Sequence, residues 1–181
     1  MEATERKLAT ILAMDVVDYS AKMSQDEETT LQSLRQCREI IEQVVSSQKG
    51  RIFNTAGDAF MIEFASPVAA VTSAVNIQKE IKDRNDKLSA EEHLEFRMGV
   101  NMGDIMIEGE NLFGEGVNVA ARLEGIAPAG GICISEIIHS VVKGKVAVEF
   151  IDQGPQELKN IDEPVRVYYA DLEPGGAKPK R

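Results

Sequence analysis

The chain has 181 residues, 20 lysines and arginines against 30 aspartates and glutamates, and a formal net charge of −10. A balance this acidic argues against a nucleic-acid-binding surface or docking on an anionic membrane. With 43% hydrophobic and 28% charged residues the composition is globular, not disordered. The length fits one domain. No apolar run reaches the roughly 20 residues of a membrane span, and residues 1–7 lack the apolar core of a signal peptide. Cys37 and Cys133 have neither metal-binding spacing nor the density of a disulfide framework, and both are expected to be buried packing residues. A cytoplasmic, reduced setting is expected. His93 and His139 are the only histidines, so a histidine-rich metal site is excluded.

In chain order, residues 8–14 form an apolar run predicted to be a buried strand ending at Asp15. Ser24 with Glu27 is a helix-start pair, and Leu31, Leu34, Ile41, Val44 and Val45 recur at helical spacing until Gly50. Residues 51–55 and 58–64 read as strands joined through Ala56-Gly57 as a hairpin. Ser66-Pro67 opens a second helix, with Val71, Ala74, Val75, Ile77 and Ile81 on its apolar face, and 83–92 reads as a polar linker. A strand pair is predicted over 94–102 and 104–107, broken at Gly103, then a turn at 109–111 and a glycine-led helix over 114–126. A short strand over 132–134, a short helix capped by Ser135, and late strands over 146–151 and 165–170 complete the reading. The β-α-β-β-α-β order is that of a ferredoxin-like α+β core, here with extra C-terminal strands and short helices. The boundaries read as an N-terminal extension over 1–7, one folded domain over 8–171, and a flexible basic tail over 172–181 that suggests a linker to a regulatory domain absent here.

Asp15 closes the first strand and Asp58 opens the strand after the Ala56-Gly57 turn. In a split β-α-β arrangement these strands are antiparallel neighbours, so both carboxylates meet at one edge of the sheet. Two such groups repel unless a cation lies between them. Hard oxygen ligands without histidine or thiolate suit Mg²⁺ or Mn²⁺, commonly with substrate phosphates completing the shell. Taken singly, Asp15 reads as a cap and Asp58 as a turn residue; taken as a pair at one edge, they read as a metal site.

Five segments resemble the class III nucleotidyl cyclase catalytic domain, in order from about residue 7 to 170. Met14-Asp15-Val16-Val17-Asp18-Tyr19-Ser20 looks like that family's first metal motif and Thr55-Ala56-Gly57-Asp58-Ala59-Phe60 its second. Phe96-Arg97-Met98-Gly99-Val100 resembles its central strand, Gly114-Glu115-Gly116-Val117-Asn118-Val119-Ala120-Ala121-Arg122 its transition-state motif, and Leu158-Lys159-Asn160-Ile161 its C-terminal phosphate-binding segment. The overall character resembles the bacterial, homodimeric branch. The resemblance implies cyclisation of a nucleoside triphosphate to the 3′,5′-cyclic monophosphate with release of pyrophosphate. It implies two Mg²⁺ or Mn²⁺ per site held by Asp15 and Asp58, with the Val16 carbonyl a further candidate ligand. It assigns ribose orientation to Asn118, α-phosphate charge stabilisation to Arg122, and the β- and γ-phosphates to Arg97 and Lys159. In such dimers one subunit supplies the metals and the other the Asn/Arg helix.

The sequence departs from the pattern where the base is read. Asn54 and Asn111 stand where adenylate cyclases usually carry lysine and aspartate (or threonine). An asparagine amide both donates and accepts, so it can satisfy adenine or, rotated, guanine. ATP is the expected substrate, with a guanylate or mixed-specificity cyclase as one alternative and a catalytically silent, regulatory cyclase-like domain as another. Asp18 replaces a common glycine and is expected to face water. No nucleic acid or membrane partner is expected.

Overall fold

A computed structural model describes residues 5–172. The predicted basic tail lies almost wholly outside that range. Strand β1 runs Glu5–Val16, so residues 5–7 belong to the first strand and not to an extension. Its burial alternates by face. Leu12, Met14 and Val16 join one core; Ala9, Ile11 and Ala13 join another on the opposite side. This two-faced apolar strand lies in the interior of one sheet, eight-stranded among the described residues.

The chain then makes an unpredicted short helix, α1 (Tyr19–Gln25), before the long α2 (Glu27–Ser47). The cap of α2 is Asp26, whose side chain accepts from the Thr29 N–H, and not Ser24. Strands β2 (Arg51–Ala56) and β3 (Ala59–Phe64) pair Ala56 with Ala59, so the hairpin turn is Gly57-Asp58, one residue later than predicted. Gly57 has φ 62 while Asp58 is not left-handed, the signature of a type II′ turn with glycine first. Helix α3 (Pro67–Asp86) opens as predicted, Ser66 Oγ accepting from the Ala69 N–H, and extends into the predicted linker.

Strand β4 (Phe96–Glu108) is continuous through Gly103, where a break was expected. The glycine answers a packing demand: a Cβ there would lie 3.0 Å from Gly116 Cα in helix α4 (Glu115–Ile126). Beyond the β4–β5 turn, β5 (Asn111–Phe113) precedes α4, and β6 (Ile132–Ser135) runs parallel to β4. Helix α5 (Glu136–Val142) follows; Ser135 occupies its cap position, but the hydroxyl makes no capping bond. Strand β7 lies at Glu149–Gln156, not 146–151, and carries Pro155 because it is an edge strand. Strand β8 (Val165–Asp171) completes the sheet, whose order is β2-β3-β1-β4-β6-β8-β7 with β5 paired to β4.

Helices α2, α3 and α5 cover one face through Cys37, Ile41, Val71, Ile77, Ile138 and Val142. Burying each such aliphatic side chain contributes about 1.5–3 kcal/mol. Helix α4 covers the other face, against Ala9, Ile11 and Ala13, and Leu158 packs beside it over Cys133 and Val167. Cys37 and Cys133 are buried as expected, their thiols pushed up to about 11 and about 12 by desolvation. The ferredoxin-like α+β reading therefore holds.

Candidate active site

Three elements converge where β1 ends. Asp15 pairs across the sheet with Arg97 of β4. Asp58, in the β2–β3 turn, reaches the same point and accepts the Val16 N–H through Oδ2 at 3.0 Å. The one-residue shift of the turn is what frees Asp58 from the strand pleat to do this. Asp15 points to the α4 face, and its Oδ1 is buried with no hydrogen-bond partner. Leaving such an oxygen unpaired costs about 1–3 kcal/mol, a cost that a bound cation removes. Val16 contributes its N–H to Asp58; its carbonyl role remains a proposal.

The sequence reading missed Glu124. Helix α4 approaches β4 so closely that a Cβ on Gly99 would lie 2.3 Å from Glu124 N and 2.4 Å from Ala120 O. This brings the Glu124 carboxyl beside Asp15. Burial first, then the charge of Asp15 and its hydrogen bond, push Glu124 up to about 8, with Arg97 opposing and Asp58 adding a smaller upward push. Asp15 is likewise raised, by burial first and then by Asp58, while Glu124, which donates to it only when protonated, and Arg97 pull it down; with Glu124 ionised the buried Oδ1 has no donor. Glu124 lies four residues after Ala120 on the sheet-facing side of α4, but only the close approach at Gly99 sets it beside Asp15.

The sign of this shift sets a pH dependence. A carboxyl raised in the folded state stabilises fully below its ordinary value of 4.5 and loses that contribution as the pH rises through about 8. Because Glu124 is only half-buried, screening reduces the effect to about 1 kcal/mol. The melting temperature of metal-free protein is expected to fall by roughly 2–4 °C from about pH 5 to about pH 9. Glu124→Gln should flatten that slope; an unchanged slope would remove Glu124 as its source.

Asn118 and Arg122 share one face of α4, roughly 160° around the axis from Ala120 and Glu124. Among the described residues no ion pair or hydrogen bond joins Arg122 to Asp15 or Asp58. Instead Arg122 Nε donates to the backbone carbonyl of Lys159 at 3.0 Å, which ties the helix to the turn that carries Lys159. Asn54 and Asn111 lie on elements tied by Arg51, whose Nη1 donates to Glu110 O at 2.7 Å while its other nitrogens donate to Glu63. Asn111 Oδ1 accepts the Leu112 N–H at 2.9 Å. Asp18 is exposed as expected and adopts φ 55, the conformation for which glycine is ordinarily used. His139 stacks on Tyr168, ring centroids 3.8 Å apart, as a packing residue.

Among the described residues no three histidine, cysteine or acidic side chains are arranged to hold an ion by themselves. Two carboxylates with one orphaned oxygen fit a hard divalent ion whose remaining ligands come from outside the chain. A split β-α-β sheet with paired carboxylates at one edge and an Asn/Arg helix across one face is the architecture of nucleotide-cyclising enzymes. The family model described as the adenylate and guanylate cyclase catalytic domain matches residues 1–171, and the chain belongs to that family.

A Rhizobium meliloti (strain 1021) protein named "Putative adenylate cyclase 3" is 43% identical over 168 residues, covering 92% of this chain. The chain spans only 29% of that relative's length. The solved adenylate/guanylate cyclase/hydrolase from Silicibacter pomeroyi is 37% identical with a TM-score of 0.86, covering 93% of this chain and 98% of that one. The adenylyl cyclase CyaB from P. aeruginosa, at 24% identity, shares the fold with a TM-score of 0.80 over 93% of this chain and 96% of that one. No helix among the described residues is long and apolar enough to cross a membrane.

Proposed function

We propose that the chain is an adenylate cyclase catalytic domain, converting ATP to 3′,5′-cyclic AMP and pyrophosphate at sites completed by a second copy. The observation that carries this reading is the meeting of Asp15 and Asp58 at the end of β1, with Asp15 Oδ1 buried and unpaired. Two Mg²⁺ or Mn²⁺ at these carboxylates would favour the 3′-alkoxide and neutralise the triphosphate and leaving group. The Val16 N–H holds Asp58 in place for that task. Arg97, beside Asp15, supplies cationic charge toward the β- and γ-phosphates, with Lys159. Asn118 orients the ribose so that its 3′-oxygen faces the α-phosphorus, and Arg122 meets the charge that develops there. Supporting the adenylate assignment are the 43%-identical relative's name and the family match.

A second reading, mixed base specificity, has one observation in its favour. Asn111 Oδ1 already accepts a backbone N–H, so its NH₂ is the freer group, and a donor suits guanine O6 better than adenine's amino group. An assay with Mn²⁺ and each of the four nucleoside triphosphates, scored by cyclic product, separates the readings. ATP is expected to give the highest kcat/KM, and Asp58→Ala to lower it by about 10²–10³. Faster turnover of GTP would reverse the base assignment; no cyclic product from any substrate would remove the activity.

A further inference from the structure

We infer that Asn160 is a positioning residue for Arg122: its left-handed backbone selects the turn whose central carbonyl holds the guanidinium. This rests on the role proposed above for Arg122. The Ile161 N–H donates to the Leu158 carbonyl at 3.1 Å, closing a four-residue turn with Lys159 and Asn160 at its centre. Asn160 has φ 65, and Lys159 is not left-handed. A positive φ at the third position alone defines a type II turn, which calls for glycine or asparagine there.

The choice of turn has a direct chemical consequence. Types I and II differ by a flip of the central peptide, so the side that presents a carbonyl in one presents an N–H in the other. Here the flip aims the Lys159 carbonyl at Arg122, which donates through Nε at 3.0 Å. The turn cannot drift from α4, because Leu158 is 7% exposed and packs in one cluster with Val119 and Leu123, which flank Arg122 on the helix. Holding Nε leaves the two terminal NH₂ groups of the guanidinium as a planar fork. Fixing a long arginine side chain in advance removes its rotamer entropy from the reacting step. Lys159 shares the same peptide, so the turn that holds Arg122 also sets the point from which the Lys159 side chain leaves the backbone.

The substitutions Asn160→Gly and Asn160→Val separate this role from any role of the amide side chain. Glycine keeps the positive φ; a β-branched residue resists it. Asn160→Gly should keep kcat within about twofold of wild type, and Asn160→Val should lower it about tenfold with the melting temperature nearly unchanged. A readout independent of turnover is the Arg122 Nε–H resonance, identified by its loss in Arg122→Lys. It should be protected from solvent exchange in wild type and Asn160→Gly, and exchange about tenfold faster in Asn160→Val. Equal exchange in all three proteins, or full kcat in Asn160→Val, overturns the inference. If no triphosphate is cyclised while the exchange pattern appears as described, the proposed function falls and the positioning of Arg122 stands.

Discussion

Asp15→Asn is expected to lower cyclic-product formation by about 10³-fold while raising the melting temperature of the metal-free protein. The two effects share one cause. The Asp15 carboxyl is desolvated, stands beside Asp58, and buries an oxygen with no partner. Burial and like charge both penalise the ionised form, so its pKa is raised and the anion destabilises the fold at neutral pH. Asparagine removes the charge at nearly the same volume. Its neutral amide lifts the repulsion at Asp58 but cannot replace an anionic metal ligand. Mn²⁺ discriminates the two states further. At about a hundred times its Kd, an ion that binds only the folded protein stabilises it by about 2.7 kcal/mol. Wild type should show that shift and Asp15→Asn should not. A variant that keeps both the Mn²⁺ shift and the product would sink the metal site.

The parts of this picture that were legible in the sequence are those set by local periodicity and by motif spacing. The α3 start at Ser66-Pro67, the glycine-led α4 and the β1 core run each carry their signal within a few residues, and each forms as read. The misplacements occur where tertiary contact decides. Gly103 looked like a strand break because a glycine has no propensity for strands; it is there because α4 lies against it at Gly116. The turn at Gly57-Asp58 was misplaced by one residue because Ala56-Gly57 and Gly57-Asp58 are both acceptable turn pairs, and only the pairing of Ala56 with Ala59 decides. Glu124 was invisible for the same reason. Nothing in its neighbours marks it, and its proximity to Asp15 exists only because Gly99 lets the helix backbone close on the sheet. Asn111, expected at the end of a turn over 109–111, instead opens the short β5 strand, which Arg51 ties to β2.

Mixing Asp15→Ala with Arg122→Ala, each inactive alone, is expected to restore roughly a quarter of wild-type activity. The figure follows from two-fold symmetry: random reassociation of equal amounts makes half of the dimers mixed, and each mixed dimer regains one intact site of two. The geometry that motivates the experiment is the placement of α4. Its Ala120 and Glu124 side is committed to its own sheet, at Gly99 and Asp15, while Asn118 and Arg122 occupy the opposite side of the same helix. No rotation of α4 carries Arg122 to the Asp15–Asp58 edge of its own chain without removing Ala120, fully buried, from the core. Within one chain the carboxylates and the Asn/Arg pair therefore lie on different sides of α4, as the proposed shared site requires. In the proposed dimer a second copy, applied through the α4 face, would offer each half its complement. Arg122→Ala alone should cost about 10²–10³ in kcat, the usual effect of deleting a group that meets transition-state charge. Restoration by Asp15→Ala then requires that the surviving Arg122 and the surviving Asp15 belong to different chains. A mixture that stays inactive, while size-exclusion shows mixed dimers have formed, would place the whole site within one chain and demand a different position for α4 during turnover.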